Sequence, residues 1–270
     1  MRTLLDLVDL KALALFAVIC IPIEQLLPMH RRGILRKGWT TDIAYLLVNG
    51  LFVRIGLALT VAGLVFAAAA FIPHAVPAFI QAQPLWLQII AATLIGDFCL
   101  YWAHRALHTN PLLWRFHSIH HAVEELDWAA AYHAHPIDDV ILSAAALGSV
   151  SILGFSTAAI VAYLVIYSYM SVVVHVNTRL QIGPLRWFLG SPEFHHWHHS
   201  NEHDARDRNF ASIISFWDVA FGTVFHPRNR IPQSYGIDDF MPQGYVDQLI
   251  QPFRRKTAEP AATAAIVTAR

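Results

Sequence analysis

Histidine is the residue type that stands out for chemistry in this chain. The 270 residues include 16 histidines, and ten of these fall in two short windows, 104–121 and 195–203. Neutral imidazole is among the commonest metal ligands in proteins and suits zinc, copper, iron and nickel. The clustering therefore predicts a metal centre rather than scattered surface histidines.

The spacing of these residues places them on helix faces. His104 and His108 are four residues apart, and Asp97 lies on the same helical stripe. Two later segments each repeat the offsets i, i+3 and i+4, which also share one helix face. The first triplet is His117, His120 and His121, and the second is His195, His198 and His199.

Each triplet follows a helix-start signal. Asn110-Pro111 precedes the first triplet and Ser191-Pro192 precedes the second. Asn and Ser are preferred N-cap residues, and proline is favoured at the first helical position. We therefore expect both triplets on short capped helices, with His196 turned about 100° away from the other histidines of its segment.

The pair and the two triplets supply eight imidazoles, more than the four ligands of one structural zinc ion. This number predicts two metal ions in a pocket lined by helices. Each ligating ring also needs a carboxylate or carbonyl at its other nitrogen to fix its tautomer. The acids near the boxes that could fill this outer role are Asp97, Asp138, Glu193 and Asp204.

Composition limits the class of protein. Hydrophobic residues make up 56% of the chain and charged residues 14%, which argues against disorder and favours a membrane protein. Lys+Arg and Asp+Glu both total 19, so no global basic surface supports nucleic-acid binding. The two cysteines cannot hold an iron–sulfur cluster, and the sequence lacks a dinucleotide-binding Gly-x-Gly-x-x-Gly. Electrons for any redox reaction are expected from a partner.

Long uncharged runs indicate membrane spans of ~20 residues. Asp, Glu, Lys and Arg are absent between Arg54 and Asp97 and again between Asp139 and Arg179. The sequence predicts an all-α integral membrane bundle of four to five spans, of which the last two form a hairpin. The predicted spans are 11–28, 54–72, 84–103, 137–153 and 157–174.

The basic loop 29–38 orients this bundle. By the positive-inside tendency the loop is cytoplasmic, and every histidine segment then emerges on the same face as a cytoplasmic, histidine-rich helical cap. The predicted location is a bacterial inner membrane or the endoplasmic reticulum. We expect one domain over 1–256 and a flexible tail over 257–270, and the oligomeric state stays open.

The motifs resemble those of the fatty acid hydroxylase and sterol desaturase superfamily, the membrane di-iron oxygenases with histidine boxes. Boxes lie at 104–108, 117–121 and 195–199, and the surrounding strings DFCLYWAHRALH and LWRFHSIHH agree. Later matches include His175-Val176-Asn177 and Asp207-Arg208-Asn209. The resemblance covers roughly residues 40–225.

The resemblance implies two iron ions, with zinc as an alternative metal, and O2 as co-substrate. The implied reaction is hydroxylation or desaturation of a lipid taken from the bilayer, of sterol, fatty-acyl, ether-lipid or carotenoid type. The implied donor is a cytochrome b5-like protein, a ferredoxin or a reductase. The resemblance also adds His175 and His135 to the metal ligands. It adds Asn177 to the outer residues, which are Asp97, Asp138 and Glu193. Whether His133, His196 and His203 bind metal stays open.

Two other classes of protein fit the sequence less well. A transporter places its ligands near the bilayer midplane, whereas here only Asp97 lies within a predicted span. A metal-dependent hydrolase needs a general base, typically in His-Glu-x-x-His, and the sequence contains no such string. A histidine-rich membrane metal transporter or metal-binding protein remains the alternative to an oxygenase.

Overall fold

The structure is a computed structural model that describes residues 10–254. This part of the chain is helical and holds no β-strand, only one isolated antiparallel bridge between Ser200 and Tyr235. The predicted all-α class is therefore confirmed. The helices are α1 (Leu10–Leu26), α2 (Trp39–Ala68), α3 (Ala75–Gln81), α4 (Leu85–Thr109), α5 (Pro111–His121), α6 (Pro136–Ile152), α7 (Thr157–Val173), α8 (Pro192–His198), α9 (Phe216–Ala220) and α10 (Tyr245–Ile250).

The core lies where α4 packs against α6 and α7, and α2 also packs against α6. Small residues allow this approach, among them Ala92 and Ala146, which are fully buried. A Cβ added to Gly96 would lie only 2.3 Å from Cζ of the buried Tyr163. The α4–α7 contact therefore requires glycine, and it fixes where the histidines of α4 emerge.

A tight turn joins α6 and α7. Gly154 has a φ of 74°, in the left-handed region that favours glycine. Ser156 then caps α7 by accepting a 3.3 Å hydrogen bond from Ala159 N. Both arms are 17 residues long, close to the bounds expected from the sequence. Because the arms run in opposite directions, His135 before α6 and His175 after α7 lie at the same end of the hairpin.

The predicted start of the second helix was wrong. The structure begins α2 at Trp39, not at Arg54, and Gly38 precedes it with a φ of 82°. Asp42 lies in the first turn, where a carboxylate complements the positive end of the helix dipole. Charged residues therefore lie within this helix, although Arg54 was expected to mark its start. The short helix α3 lies in a region expected to be a loop.

Among residues 10–254, α4 is the only helix that is by itself long and apolar enough to cross a bilayer. The two parts of α2, residues 39–50 and 52–68, would form a second span with a bend of 43°. The other predicted spans stay predictions. The expected tail 257–270 lies outside the described residues.

Beyond α7 the chain forms a largely irregular cap that contains α8 and α9. Asp97 of α4 anchors this cap, because its carboxylate accepts hydrogen bonds from Ile213 N (3.2 Å), Ile214 N (2.9 Å) and Trp217 Nε1 (3.1 Å). Asp218 accepts hydrogen bonds from two further backbone amides of the same segment. The buried carboxylate of Asp97 therefore holds the cap against the middle of α4, and that of Asp218 joins two parts of the cap to each other.

Candidate metal centre

Nine histidines converge in two groups at the end of α4. Within each group the potential ligand atoms all lie within 4.8 Å of one another. The five-histidine group consists of His104, His108, His117, His121 and His198, and the four-histidine group consists of His120, His175, His195 and His199.

Two short helices contribute to both groups and make them adjoin. In α5, His117 and His121 belong to the five-histidine group and His120 to the other. In the third box, His198 belongs to the five-histidine group, and His195 and His199 belong to the four-histidine group. The ring centroids of His121 and His199, one from each group, are 4.5 Å apart. The two groups are therefore direct neighbours.

The helix starts differ in how they are capped. The Asn110 side chain accepts hydrogen bonds from the amides of residues 112 and 113, and Pro111 occupies the first turn, as the sequence predicted. The predicted side-chain cap at Ser191 is absent. There the backbone oxygen of Ser191 accepts from the amides of Phe194 and His195, at 3.1 and 3.0 Å, and the hydroxyl has no partner.

The outer nitrogens of six of these rings are held by oxygen acceptors. Four Nδ1 atoms contact backbone carbonyls and two contact carboxylates, so each Nδ1–H donates and Nε2 is left as a bare lone pair. The contacts are His104 to Phe210 O (2.7 Å), His120 to His133 O (3.1 Å), His175 to Ser171 O (2.6 Å), His198 to Arg208 O (2.8 Å), His108 to Asp207 Oδ1 (3.2 Å) and His117 to Asp138 (3.1 Å).

The inner nitrogens face one another. Nε2 of His104 lies 3.1 Å from Nε2 of His117, and Nε2 of His120 lies 3.2 Å from Nε2 of His175. Because all four rings donate through Nδ1, these Nε2 atoms have no proton to share, and the pairs repel unless a cation lies between them. Two ligands at right angles on one ion, each ~2.1 Å from it, are ~3.0 Å apart. The side chains therefore fit a bound metal ion.

Burial keeps the rings uncharged. Removal from water lowers the pKa of His175 to about 4. It also lowers the pKa values of His120, His121, His195, His198 and His199 well below their usual range, and neighbouring imidazoles lower them further. Neutral imidazole is the form that binds metal ions. Nε2 of His108 and Nε2 of His198 are buried without a hydrogen-bond partner, which suits atoms that bind a metal ion.

The predicted outer residues have different surroundings. Asp138 contacts the five-histidine group directly, with both carboxylate oxygens 3.1 Å from Nδ1 of His117. Asp97 binds the cap, as described above. Glu193 pairs with Arg186, at 2.8 Å, and Asn177 binds the backbone of residue 30. These last three side chains therefore hydrogen-bond to parts of the fold other than the clustered rings.

His135 lies outside both groups, although the resemblance adds it to the ligands. Its Nε2 is 3.2 Å from Leu249 O, and its Nδ1 accepts a hydrogen bond from Ile137 N. The ring therefore closes the first turn of α6 and contacts the C-terminal part of the cap.

The three histidines left open also lie outside the groups. His196 is fully buried, and its nitrogens contact Tyr235 Oη and the carbonyls of residues 175 and 176. His133 Nδ1 lies 2.5 Å from Asp42 Oδ1. His203 has a side chain that is 94% exposed.

Sequence reasoning missed several residues that support the rings. Four of the Nδ1 acceptors are backbone carbonyls, whose position depends on the fold and not on residue type. Tyr235 contacts both His196 and His30 from a distant part of the chain. Asp207 carries a signal that could have been used, because it opens the Asp207-Arg208-Asn209 string of the resemblance.

A cavity of about 360 Å³ opens onto the five-histidine group. His108, His121 and His198 line it together with polar residues such as Asp207 and Ser200. A small molecule can therefore approach this group without displacing the helices. The four histidines of the other group are only 1 to 8% exposed, so protein encloses that group.

The fold and the site together define a helical protein with two adjoining groups of buried histidines that could hold metal ions. The sequence model of the fatty acid hydroxylase family matches residues 89–223, which is half of the chain and includes all three boxes. The chain belongs to this family. It is therefore an enzyme, an oxidoreductase.

Similar proteins agree with this assignment. The chain is 29% identical over 258 residues to an ornithine lipid hydroxylase of Rhizobium tropici, covering 93% of this chain and 76% of that protein. It is 26% identical to an alkylglycerol monooxygenase of Caenorhabditis elegans, covering 52% and 28%. A very-long-chain aldehyde decarbonylase of Oryza sativa is 27% identical, covering 52% and 54%. The chain thus spans about half or less of the latter two relatives. No solved structure matches it significantly.

Proposed function

We propose that this enzyme is a di-iron oxygenase that hydroxylates a membrane lipid with O2 and external electrons. The observation that carries the proposal is the pair of adjoining histidine groups with inward-facing Nε2 atoms. The names of the relatives support a lipid substrate, since an ornithine lipid hydroxylase aligns with 93% of the chain.

Iron is the metal that we assign to the site. A nitrogen-only ligand set suits both iron and zinc, but zinc has no redox chemistry. When bound, two ferrous ions supply the reduction of O2 and the removal of hydrogen from an unactivated C–H bond. Nine histidines are the proposed ligands, and His135 is not among them because it belongs to neither group and its nitrogens have other partners.

The protein's own residues prepare the site for this chemistry. The fixed Nδ1 contacts aim the Nε2 lone pairs inward before any ion arrives, which lowers the cost of ordering the ligands. The burial of the rings excludes water. Because imidazoles bring no negative charge, Asp138 and Asp207 offset part of the charge of two divalent cations. We expect the oxidised carbon in the cavity beside His108, His121 and His198.

Hydroxylation is the proposed outcome, in preference to desaturation. The relative that aligns with most of this chain is named a hydroxylase, and a second is named a monooxygenase. An ornithine lipid is therefore the first substrate to test. The electron donor is proposed to be a separate protein of the cytochrome b5, ferredoxin or reductase type, because the chain has only two cysteines.

The proposed membrane arrangement starts from α4, which has the length and apolar composition of a span. The bent helix α2 would be a second span. The hairpin arms of 17 residues rise ~26 Å each, slightly less than a ~30 Å hydrocarbon core, so both would end at the histidine face. We place that face in the cytoplasm because the basic loop 29–38 lies on it, and we treat 1–256 as one domain.

The test replaces ligands and a matched histidine outside the site. His120→Ala and His198→Ala should each abolish lipid hydroxylation and lower the iron bound per chain. His203→Ala is the control, because that side chain is 94% exposed, and it should change neither quantity. Product is measured by mass analysis of lipid extracts under labelled oxygen. Full activity in either ligand variant would contradict the proposal, and so would a product without label.

A further inference from the structure

An exposed apolar surface lies beside the metal centre and outside every proposed span. The stretch 178–192 contains no acidic residue, and large apolar side chains there are 37 to 59% exposed. Contiguous apolar patches on protein surfaces mark sites of interaction. We call this surface the apolar platform, formed by Leu180, Ile182, Leu185, Trp187, Phe188, Leu189, Phe216, Val219 and Phe221.

The two parts of the platform form one surface. The rings of Phe188 and Phe216 are nearly parallel, with centroids 6.3 Å apart. Gly190 N donates a 2.8 Å hydrogen bond to Ile213 O. A Cβ on Gly190 would lie 2.1 Å from Ser212 O, so the approach of the two segments depends on this glycine. The platform is therefore a built part of the fold.

The platform continues the exposed face of α4. Trp217, next to Phe216, contacts Phe98, with ring centroids 5.2 Å apart. Phe221 contacts Trp102 at 5.0 Å. Trp86 near the start of α4 is also exposed, and sixteen residues of helix place it ~24 Å from Trp102. This spacing is slightly less than a ~30 Å hydrocarbon core, so the two tryptophans would lie just inside its two boundaries, near the depth of the aromatic belts.

We propose that the apolar platform lies in the lipid interface of the membrane leaflet on the histidine side. This inference rests on the proposed function, because it takes α4 as a span. Rings that contact Phe98 and Trp102 must lie at the depth of those residues, where the bilayer passes from hydrocarbon to headgroups. The only charges among residues 178–192 are Arg179 and Arg186. Arg186 is paired with Glu193, so the exposed Arg179 is the cation that favours anionic lipid headgroups.

An ion pair connects the apolar platform to the helix of the third histidine box. Arg186 Nη1 donates to Glu193 Oε2 at 2.8 Å, and Glu193 lies two residues before His195 on α8. The Arg186 carbonyl also accepts a hydrogen bond from Ser215 Oγ. The platform is therefore connected directly to the helix that carries the third histidine box.

The test measures depth with a fluorophore on a single cysteine. Cys20→Ala and Cys99→Ala remove the native thiols from the full-length chain. An environment-sensitive label is then placed by Phe188→Cys in the platform, and by Gln233→Cys, an exposed position of the cap, as the water-side control. In phosphatidylcholine vesicles with brominated acyl chains, the label at 188 should be quenched by shallow bromines and protected from aqueous iodide. The label at 233 should show the reverse.

A third label separates this inference from the proposed function. Ile90→Cys lies on the exposed face of α4, one turn from Trp86 toward the middle of the helix, and should be quenched by acyl-chain bromines. Quenching at 90 without quenching at 188 overturns the platform assignment and leaves the membrane span intact. A label at 188 that is protected from both quenchers would mean that protein covers the platform, which also contradicts lipid contact. No bromine quenching at 90 contradicts the membrane span itself.

Discussion

Six of the nine clustered histidines are oriented by an acceptor at Nδ1, and only two of those acceptors are carboxylates. At the scale of residues, the sequence predicted the ligands better than it predicted their supports. Residue type and spacing in the sequence indicate which histidines are ligands. A backbone carbonyl can accept a hydrogen bond from a ligand ring only when the fold brings it next to that ring. This is why Asp138 was anticipated and Phe210 O was not.

Asp138 should tune metal binding through His117. Asp138→Asn removes the negative charge at Nδ1 and weakens the preference for the Nδ1–H tautomer. We expect metal affinity to fall ~10- to 100-fold, the range typical for outer partners of metal-bound histidine. Competitive titration with a metal indicator measures it. Asp204→Asn, at a side chain that is 80% exposed, should leave the affinity unchanged. Equal affinities in the two variants would contradict the role of Asp138.

Asp97 should act on stability and not on metal binding. Asp97→Asn places an amide where three donors converge, which leaves buried donors unpaired. We expect the free energy of unfolding to fall by ~1–3 kcal/mol, with unchanged metal affinity of the folded protein. Denaturant unfolding and metal titration measure the two effects. A loss of metal affinity at unchanged stability would restore the outer role at the metal that the sequence suggested.

At the scale of elements, the hairpin and the two histidine triplets were predictable because they rest on local rules. Helical offsets, a proline near the helix start and a turn glycine act within a few residues. The start of α2 was not predictable in this way, since its charged residues are satisfied by distant partners. Asp42 of its first turn, for example, lies 2.5 Å from Nδ1 of His133, 91 residues away along the chain.

The α4–α7 contact gives a prediction at this scale. Gly96→Ala would place a methyl group 2.3 Å from Tyr163 Cζ, and overpacking of this kind costs ~1–3 kcal/mol. Gly63→Ala is the matched control, because nothing lies within 4 Å of its added Cβ. That change should be neutral or stabilise α2 by ~0.5–1 kcal/mol. Denaturant unfolding in detergent compares them, and equal stabilities would contradict the close helix contact.

At the scale of the whole molecule, the two histidine groups join α4, α5, the end of the hairpin and the cap. Bound ions would therefore connect parts of the fold that are far apart in sequence. Without ions, the facing Nε2 lone pairs repel. Metal occupancy and global stability are expected to rise and fall together.

Removing the metal should destabilise the entire enzyme. Treatment with a strong chelator is expected to lower the melting temperature, and added Fe²⁺ or Zn²⁺ should restore it. Binding at 100 times the dissociation constant stabilises a protein by ~2.7 kcal/mol per site. Thermal unfolding in detergent, with and without chelator, measures the shift. An unchanged melting temperature after complete metal removal would mean that the histidines do not link these elements.

The central claim is that imidazoles from separate helices hold two iron ions in one pocket. It is tested most directly by iron analysis of the purified protein combined with iron X-ray absorption. We predict about two irons per chain, each with a shell of nitrogen ligands at ~2.1 Å. One iron or none per chain after reconstitution with excess Fe²⁺, or a sulfur ligand shell, would contradict the claim.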